Sequence, residues 1–230
     1  MTSSDLTKKI KEVKNSIVAV GIKISDDKVK IIGSGFCVAE QGKILSAAHL
    51  FVKVPPEQLQ SLVSLAVTQD KEKGLEYYNW LPLKLLKKDD QQDVALLQLE
   101  RSDETLMKPL ELGDSDKVEV GQDTYFIGYP YAALLVNEGF GVTRLVNKGI
   151  VSSVKRNKDD PAQIDWIIID GISNPGNSGC PLIDIESNKV IGIIAISFRT
   201  KSKTHTDLDI REPMHICAAK PVNLAKELLK

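Results

Sequence analysis

Asn174-Pro175-Gly176-Asn177-Ser178-Gly179-Cys180-Pro181-Leu182 sets a serine in a turn of proline and glycine between two β-branched runs, Trp166 to Ile169 and Val190 to Phe198. The glycines let the backbone bend tightly. Such a turn aims the N–H groups of Gly176 and Ser178 into one hole beside the Ser178 hydroxyl. Glycine-rich turns that merely reverse the chain have the same composition, so the segment needs partners elsewhere.

Outward from this turn the texture is uniform. Short β-branched runs separated by turn residues recur from Ile17 to Ile24, Val29 to Val38, Ile44 to Ala47, Val63 to Thr68, Val94 to Leu99, Thr124 to Gly128, Gly149 to Val154 and His215 to Ala218. That rhythm is all-β, and so many short strands in a chain of 230 residues point to a sandwich or barrels. Leu6, Ile10, Val13 and Ile17 fall at helical spacing behind Ser3, Ser4 and Asp5, which predicts an opening amphipathic helix. Pro221 followed by Val222, Ala225, Leu228 and Leu229 predicts a closing one. We expect a single domain over 1–230: a helix over 1–16, a first lobe over 17–114, a second lobe over 115–218 and a helix over 219–230.

With Lys+Arg 30 against Asp+Glu 31 the formal net charge is −1, so no overall field gathers nucleic-acid phosphates or anionic lipid. Neither partner is expected. The longest apolar run, Val190 to Ile196, falls short of the roughly 20 residues of a membrane helix. Met1 to Val20 carries charges throughout and lacks an apolar leader, and on that ground the chain is placed in the cytoplasm. Cys37, Cys180 and Cys217 form neither a disulfide framework nor a zinc pattern, and they read as reduced thiols.

Of the three histidines, His49 closes the strand Ile44-Leu45-Ser46-Ala47-Ala48-His49, with small neighbours that leave its ring approachable. Asp93 ends a polar loop and opens the apolar run Val94-Ala95-Leu96-Leu97, where a carboxylate can be drawn against an imidazole. Each reads equally as a structural residue when taken alone. The combination decides: Gly33-Ser34-Gly35-Phe36, Ser46-Ala47-Ala48-His49, Asp93-Val94-Ala95-Leu96-Leu97 and Gly176-Asn177-Ser178-Gly179 resemble the trypsin-like serine proteases, and within them the bacterial HtrA/Deg branch. Val120-Gly121-Gln122, Ile127-Gly128-Tyr129-Pro130, Gly149-Ile150-Val151-Ser152 and Val190-Ile191-Gly192-Ile193 extend the similarity. The order His, Asp, Ser also excludes the α/β-hydrolase arrangement, in which serine comes first.

The resemblance implies two antiparallel six-stranded β-barrels with short terminal helices, and a site in the cleft between them. It implies a serine endopeptidase that needs no metal and no cofactor and takes extended or unfolded polypeptide as substrate. Ser178 is then the nucleophile, His49 the general base and Asp93 the acid that orients it, with Gly176, Asn177 and Ser178 forming the oxyanion hole. Ile172, Ser173, Ala195, Ile196, Ser197 and His215 are expected around the substrate side chain. No acid stands at Ile172 or Ser173, which argues against Lys or Arg there and for small or medium apolar residues. Asn177 stands where digestive relatives carry an aspartate that pairs with a new N-terminus, so no activating cleavage is expected. Cys180 replaces the usual glycine and reads as a buried filler, or else as a thiol that disables or regulates the site. HtrA/Deg proteins commonly add PDZ domains, and none is expected here. A protease-like binding module, and a partner-activated protease that uses the N-terminal helix or a second copy of the chain, are the alternatives.

Overall fold

The run Ile17-Val18-Ala19-Val20 has to satisfy two cores at once. Val18, Val20 and Ile22 enter the interior of one barrel, while Ile17 and Ala19, on the opposite face, join a core that lies between two barrels. A strand buried on both sides reads as continuous rather than alternating hydrophobicity, and the same holds for Val190–Ile194.

The computed structural model describes residues 3–70, 75–100, 105, 107–201 and 211–230. After helix α1 (Ser3–Val13), strands β1 (Ile17–Ser25), β2 (Lys28–Ala39), β3 (Lys43–Ser46), β4 (Leu62–Asp70), β5 (Leu75–Asp89) and β6 (Val94–Leu99) close into a barrel in the order β1-β2-β3-β6-β5-β4. Strands β7 (Asp123–Gly128), β8 (Leu145–Arg156), β9 (Ile164–Asp170), β10 (Pro181–Asp184), β11 (Val190–Lys201) and β12 (Arg211–Pro221) close a second in the order β10-β11-β12-β9-β8-β7. Neighbouring strands are antiparallel. The two six-stranded barrels are those that the sequence implies. Helix α2 (Ala132–Asn137), between β7 and β8, is an addition that the sequence reading does not anticipate.

The expected closing helix over 219–230 starts too early. Ala219 and Lys220 still pair with β11, and Pro221 lies opposite Gly192 at the strand's last position, where its missing N–H costs no ladder bond. A 3-10 turn, Val222–Ala225, follows and leads into α3 (Lys226–Leu229). Helix α1 is docked rather than free. Leu6, Ile10 and Val13 pack on the inter-barrel core, and Lys9 Nζ donates to the carbonyls of Ile185 and Glu186, each at 2.6 Å, in the β10–β11 hairpin. Burying side chains of this size contributes about 1.5–3 kcal/mol each. The apolar face of α1 thus packs on the chain's own body.

Phe36, Leu45, Val94 and Leu96 from the first barrel meet Tyr125, Ile127, Tyr129, Ile183 and Ile193 from the second in that shared core. Tyr129 spans it, its hydroxyl donating to the Ile17 carbonyl at 3.4 Å. The barrels are therefore packed on each other along the seam where the sequence-predicted residues converge.

Candidate active site

His49 lies in a 3-10 turn, Ala48–Phe51, that leaves the end of β3, and Asp93 occupies the last position before β6. β3 and β6 are paired neighbours, with Ser46 opposite Ala95, which brings the two residues together. Asp93 adopts φ 54°, a left-handed conformation that aspartate tolerates better than most residues. So bent, its carboxylate takes the His49 backbone N–H on Oδ1 at 2.8 Å and the ring Nδ1 on Oδ2 at 2.8 Å. The acid fixes both the turn and the ring. With Nδ1 donating, the protonated nitrogen is Nδ1 and Nε2 is left as an acceptor. The imidazole is 40% exposed and the carboxylate 18%, so the ring is open to a reacting group while its acid is mostly covered.

The serine turn is held by backbone contacts to both barrels, Ser34 being on β2 and Ile194 on β11. Ser34 N–H donates to the Ser178 carbonyl at 2.8 Å, and Gly179 N–H donates to the Ile194 carbonyl at 2.7 Å. Gly179 fits so tightly that a Cβ would stand 2.2 Å from the Ser34 carbonyl and 2.3 Å from Ser46 Oγ. A Cβ on Gly33 would stand 2.9 Å from the Ser178 carbonyl and 2.4 Å from Leu50, the residue after His49. Those two contacts place Ser178 next to the His49 turn. Among the described residues no hydrogen bond joins the Ser178 hydroxyl to the imidazole; such bonds are commonly long in a free enzyme and tighten with substrate.

The peptide planes of the turn decide which N–H groups are available. The Pro175 carbonyl accepts from Tyr131 N–H at 2.8 Å and the Asn177 carbonyl from Cys180 N–H at 3.0 Å. In a trans peptide the carbonyl and the following N–H point opposite ways, so the N–H groups of Gly176 and Ser178 are turned away from those partners. Among the described residues neither has a hydrogen-bond partner. Asn177, expected in the oxyanion hole, differs: its N–H is donated to the Asn174 carbonyl at 2.9 Å, so it supplies no free donor. Its side chain is fully buried with its amide unpaired among the described residues.

Ser34 ties the turn down. Its hydroxyl donates to the Gly176 carbonyl at 2.7 Å and accepts from Tyr129 N–H at 3.0 Å, while its own carbonyl accepts from Ser46 Oγ at 2.7 Å. Gly176 takes φ 104°, with a Cβ site only 2.3 Å from the Tyr129 carbonyl. Ser34 stands inside a motif already singled out, but its role depends on tertiary contact. Tyr131, at φ 50°, has no sequence signal at all.

The residues expected around the substrate side chain divide into groups. Ser197 Oγ donates to the carbonyl of buried Ser173 at 2.5 Å, joining two of them directly, with Ala195 and Ile196 alongside Ser197 on β11. Ile172 and His215 instead border a cavity of about 460 Å³ with Asp123, Lys148 and Asp170, and Ser178 does not line it. A larger apolar cavity, about 790 Å³, lies among Leu59, Leu62, Leu83, Leu85 and Leu99 of the first barrel, apart from His49, Asp93 and Ser178. Cys180 is wholly buried in the second barrel's interior, where desolvation, reinforced by Cys217 nearby, pushes its thiol well above the ordinary value. Such a thiol is packing material rather than a nucleophile.

The sequence profile described as "Trypsin-like peptidase domain" matches residues 33–193. Proteins named "Probable periplasmic serine endoprotease DegP-like" from Halomonas elongata and Pseudomonas fulva are 32% and 31% identical over 185 residues, 80% of this chain and 33% of each relative. The chain thus spans about a third of the length of the curated relatives it matches. Among solved structures, "HtrA-type protease AlgW with tripeptide" superposes with a TM-score of 0.67 at 23% identity, covering 97% of this chain and 62% of that one. "Crystal structure of Deg5" gives 0.68 at 21% identity, covering 99% and 94%. These relatives are named as periplasmic, which overturns the cytoplasmic expectation. That expectation rested on a missing apolar leader, and an absence of that kind says nothing of compartment.

Proposed function

The chain belongs to the trypsin-like peptidase family, and from that premise we propose that it is a serine endopeptidase acting through Ser178, His49 and Asp93. An unassisted serine hydroxyl is a poor nucleophile at neutral pH. In this reading His49 Nε2 takes the hydroxyl proton as Ser178 Oγ attacks the scissile carbonyl, then delivers it to the leaving amine. Asp93 holds the tautomer and stabilises the imidazolium; these roles follow the general triad scheme. Water then repeats the sequence on the acyl-enzyme and regenerates the hydroxyl.

One observation supports the reading: among the described residues two backbone N–H groups, those of Gly176 and Ser178, stand without partners, while the Pro175, Gly176, Asn177 and Ser178 carbonyls around them are engaged by Tyr131, Ser34, Cys180 and Ser34. Donors left unpaired and pre-aimed in this way suit a developing oxyanion, and losing one such donor in a comparable enzyme costs about 10²- to 10³-fold in rate.

The substrate reading rests on an open strand edge. β11 pairs with β10 only from Val190 to Ile193, whereas its pairing with β12 continues past Ile196 and Ser197. On the β10 side, Ala195 to Phe198 can accept an extended polypeptide as an added strand, one side chain of which reaches the Ser173–Ser197 wall. Ser197 Oγ narrows that wall and favours small or medium apolar side chains.

A fluorophosphonate probe tests the proposal. Wild-type protein is expected to be labelled stoichiometrically, Ser178→Ala not at all and His49→Ala slowly. Folded wild-type protein that resists the probe would reject the peptidase reading in favour of a protease-like binding module.

A further inference from the structure

The Gly176 N–H faces the hole only while the Pro175 carbonyl stays on Tyr131 N–H. Tyr131 itself sits in a left-handed conformation that a tyrosine keeps only where its surroundings impose it. Locally, buried Ala132 and one polar contact do so. The Tyr131 hydroxyl reaches Asn174 Oδ1 at 3.1 Å, and the residue begins α2, which leaves Leu134 and Val136 about half exposed. Beyond α2, Phe140 is 71% exposed, and Gly139 and Gly141 take positive φ in open space. The next firm anchors are Val142, packed on the inter-barrel core, and Arg144. Its guanidinium donates from Nη1 to the Lys14 carbonyl and to Asn15 Oδ1, and from Nη2 to the Tyr78 hydroxyl at 3.1 Å, lying 5.6 Å over the Tyr78 ring. A planar fork is suited to hold three groups at once.

Those groups belong to the segment after α1 and to β5, and α1 is itself pinned to the second barrel by Lys9 and its apolar stripe. We propose that Arg144 is a positioning residue for the oxyanion hole: it fixes the far end of the 129–144 segment on the turn after the N-terminal helix and on β5, so that Tyr131, at the near end, holds the Pro175–Gly176 peptide in its donating orientation. The inference rests on the peptidase reading and adds to it a means of control, because whatever displaces the end of α1 releases the hole. The two states are the two orientations of one peptide plane, and Gly176, free of a Cβ, can adopt either.

The test compares Arg144→Ala, Arg144→Lys and Tyr78→Phe with wild type on a peptide amide substrate. Arg156→Ala serves as the control, since Arg156 binds the Pro161 and Ala162 carbonyls in a distant turn. Arg144→Ala is expected to lower kcat about 3- to 30-fold, the range of mutations that act through coupled contacts. KM should stay within twofold, fluorophosphonate labelling should slow in proportion, Arg144→Lys should recover part of the loss, and Arg156→Ala should match wild type. Tyr78→Phe removes only the hydroxyl contact and should give a smaller drop, which keeps the test available if Arg144→Ala folds poorly. Unchanged kcat in Arg144→Ala, or a rise in KM alone, overturns the proposal.

Hydrogen exchange read in a Ser178→Ala background separates this idea from the peptidase reading, because it needs no turnover. Arg144→Ala should speed exchange across 129–144 and also across 174–178. Faster exchange confined to 129–144 breaks the coupling even if the enzyme is active, whereas wild type that resists the probe fails the peptidase reading while the exchange result still decides the coupling.

Discussion

His49 and Asp93 lie on one barrel and are joined by contacts made within it, the carboxylate reaching both the ring and the backbone N–H of its partner. The Gly176–Ser178 turn on the other barrel takes its shape from groups supplied elsewhere: Ser34 from the first barrel and Tyr131 from the segment ahead of α2. His49 and Asp93 are thus set by local pairing of β3 with β6, while the proposed oxyanion hole is set by tertiary docking. A change on the first side should damage proton transfer with little effect on the fold. On the second side, changes made well away from the nucleophile should reach it.

The sharpest break in that comparison is Asp93→Asn. Asparagine tolerates the same left-handed backbone, so the fold should persist with an unchanged melting temperature, while kcat falls about 10⁴-fold because the ring loses its enforced tautomer. A loss below tenfold, measured on a peptide amide, would remove Asp93 from the mechanism. Ser34→Ala probes the borrowed side. It strips the Gly176 carbonyl and Tyr129 N–H of a shared buried partner, and stranding such groups costs about 1–3 kcal/mol, which read in kcat is roughly a 5- to 150-fold loss. KM should change little, and an unaffected kcat would show that the turn holds itself.

The smallest effect on turnover is expected from the thiols beneath that turn. Burial pushes Cys217 from an ordinary 9.0 to about 12 and moves Cys180 in the same direction. The folded chain then keeps protons that the unfolded chain sheds, so the stabilisation is complete below pH 9 and is lost as pH rises toward 12. Urea midpoints should therefore fall between pH 8 and pH 10.5, less so in Cys217→Ala, and native protein at pH 8 should resist iodoacetamide. Rapid alkylation of native Cys180 would revive it as a reactive group.

What the sequence disclosed follows the same division. The barrels were legible because strands buried on both faces, such as Ile17 to Ile22 and Val190 to Ile194, leave unbroken apolar runs. Asp93 was legible because a carboxylate stood where a polar loop meets such a run. Its positive φ was not, and neither was the use of Ser34, because both are properties of contact rather than of spacing. Tyr131 left no trace, since nothing in a tyrosine codes for a left-handed bend. Pro221 misled because a proline that opens helices also ends strands, and only its pairing opposite Gly192 tells the two apart.

Closure of both sheets has a consequence for how this molecule meets other chains. Exposed strand edges are where proteins stick to one another and begin to aggregate, and a closed barrel hides most of them. Among the described residues no strand pairs with Ala195 to Phe198 on the β10 side, just past Ile194, whose carbonyl takes the Gly179 N–H of the serine turn. On the proposed chemistry, an unfolded polypeptide that adheres there is delivered to the nucleophile. The surface liability of a β protein becomes its intake, and stickiness ends in cleavage instead of growth.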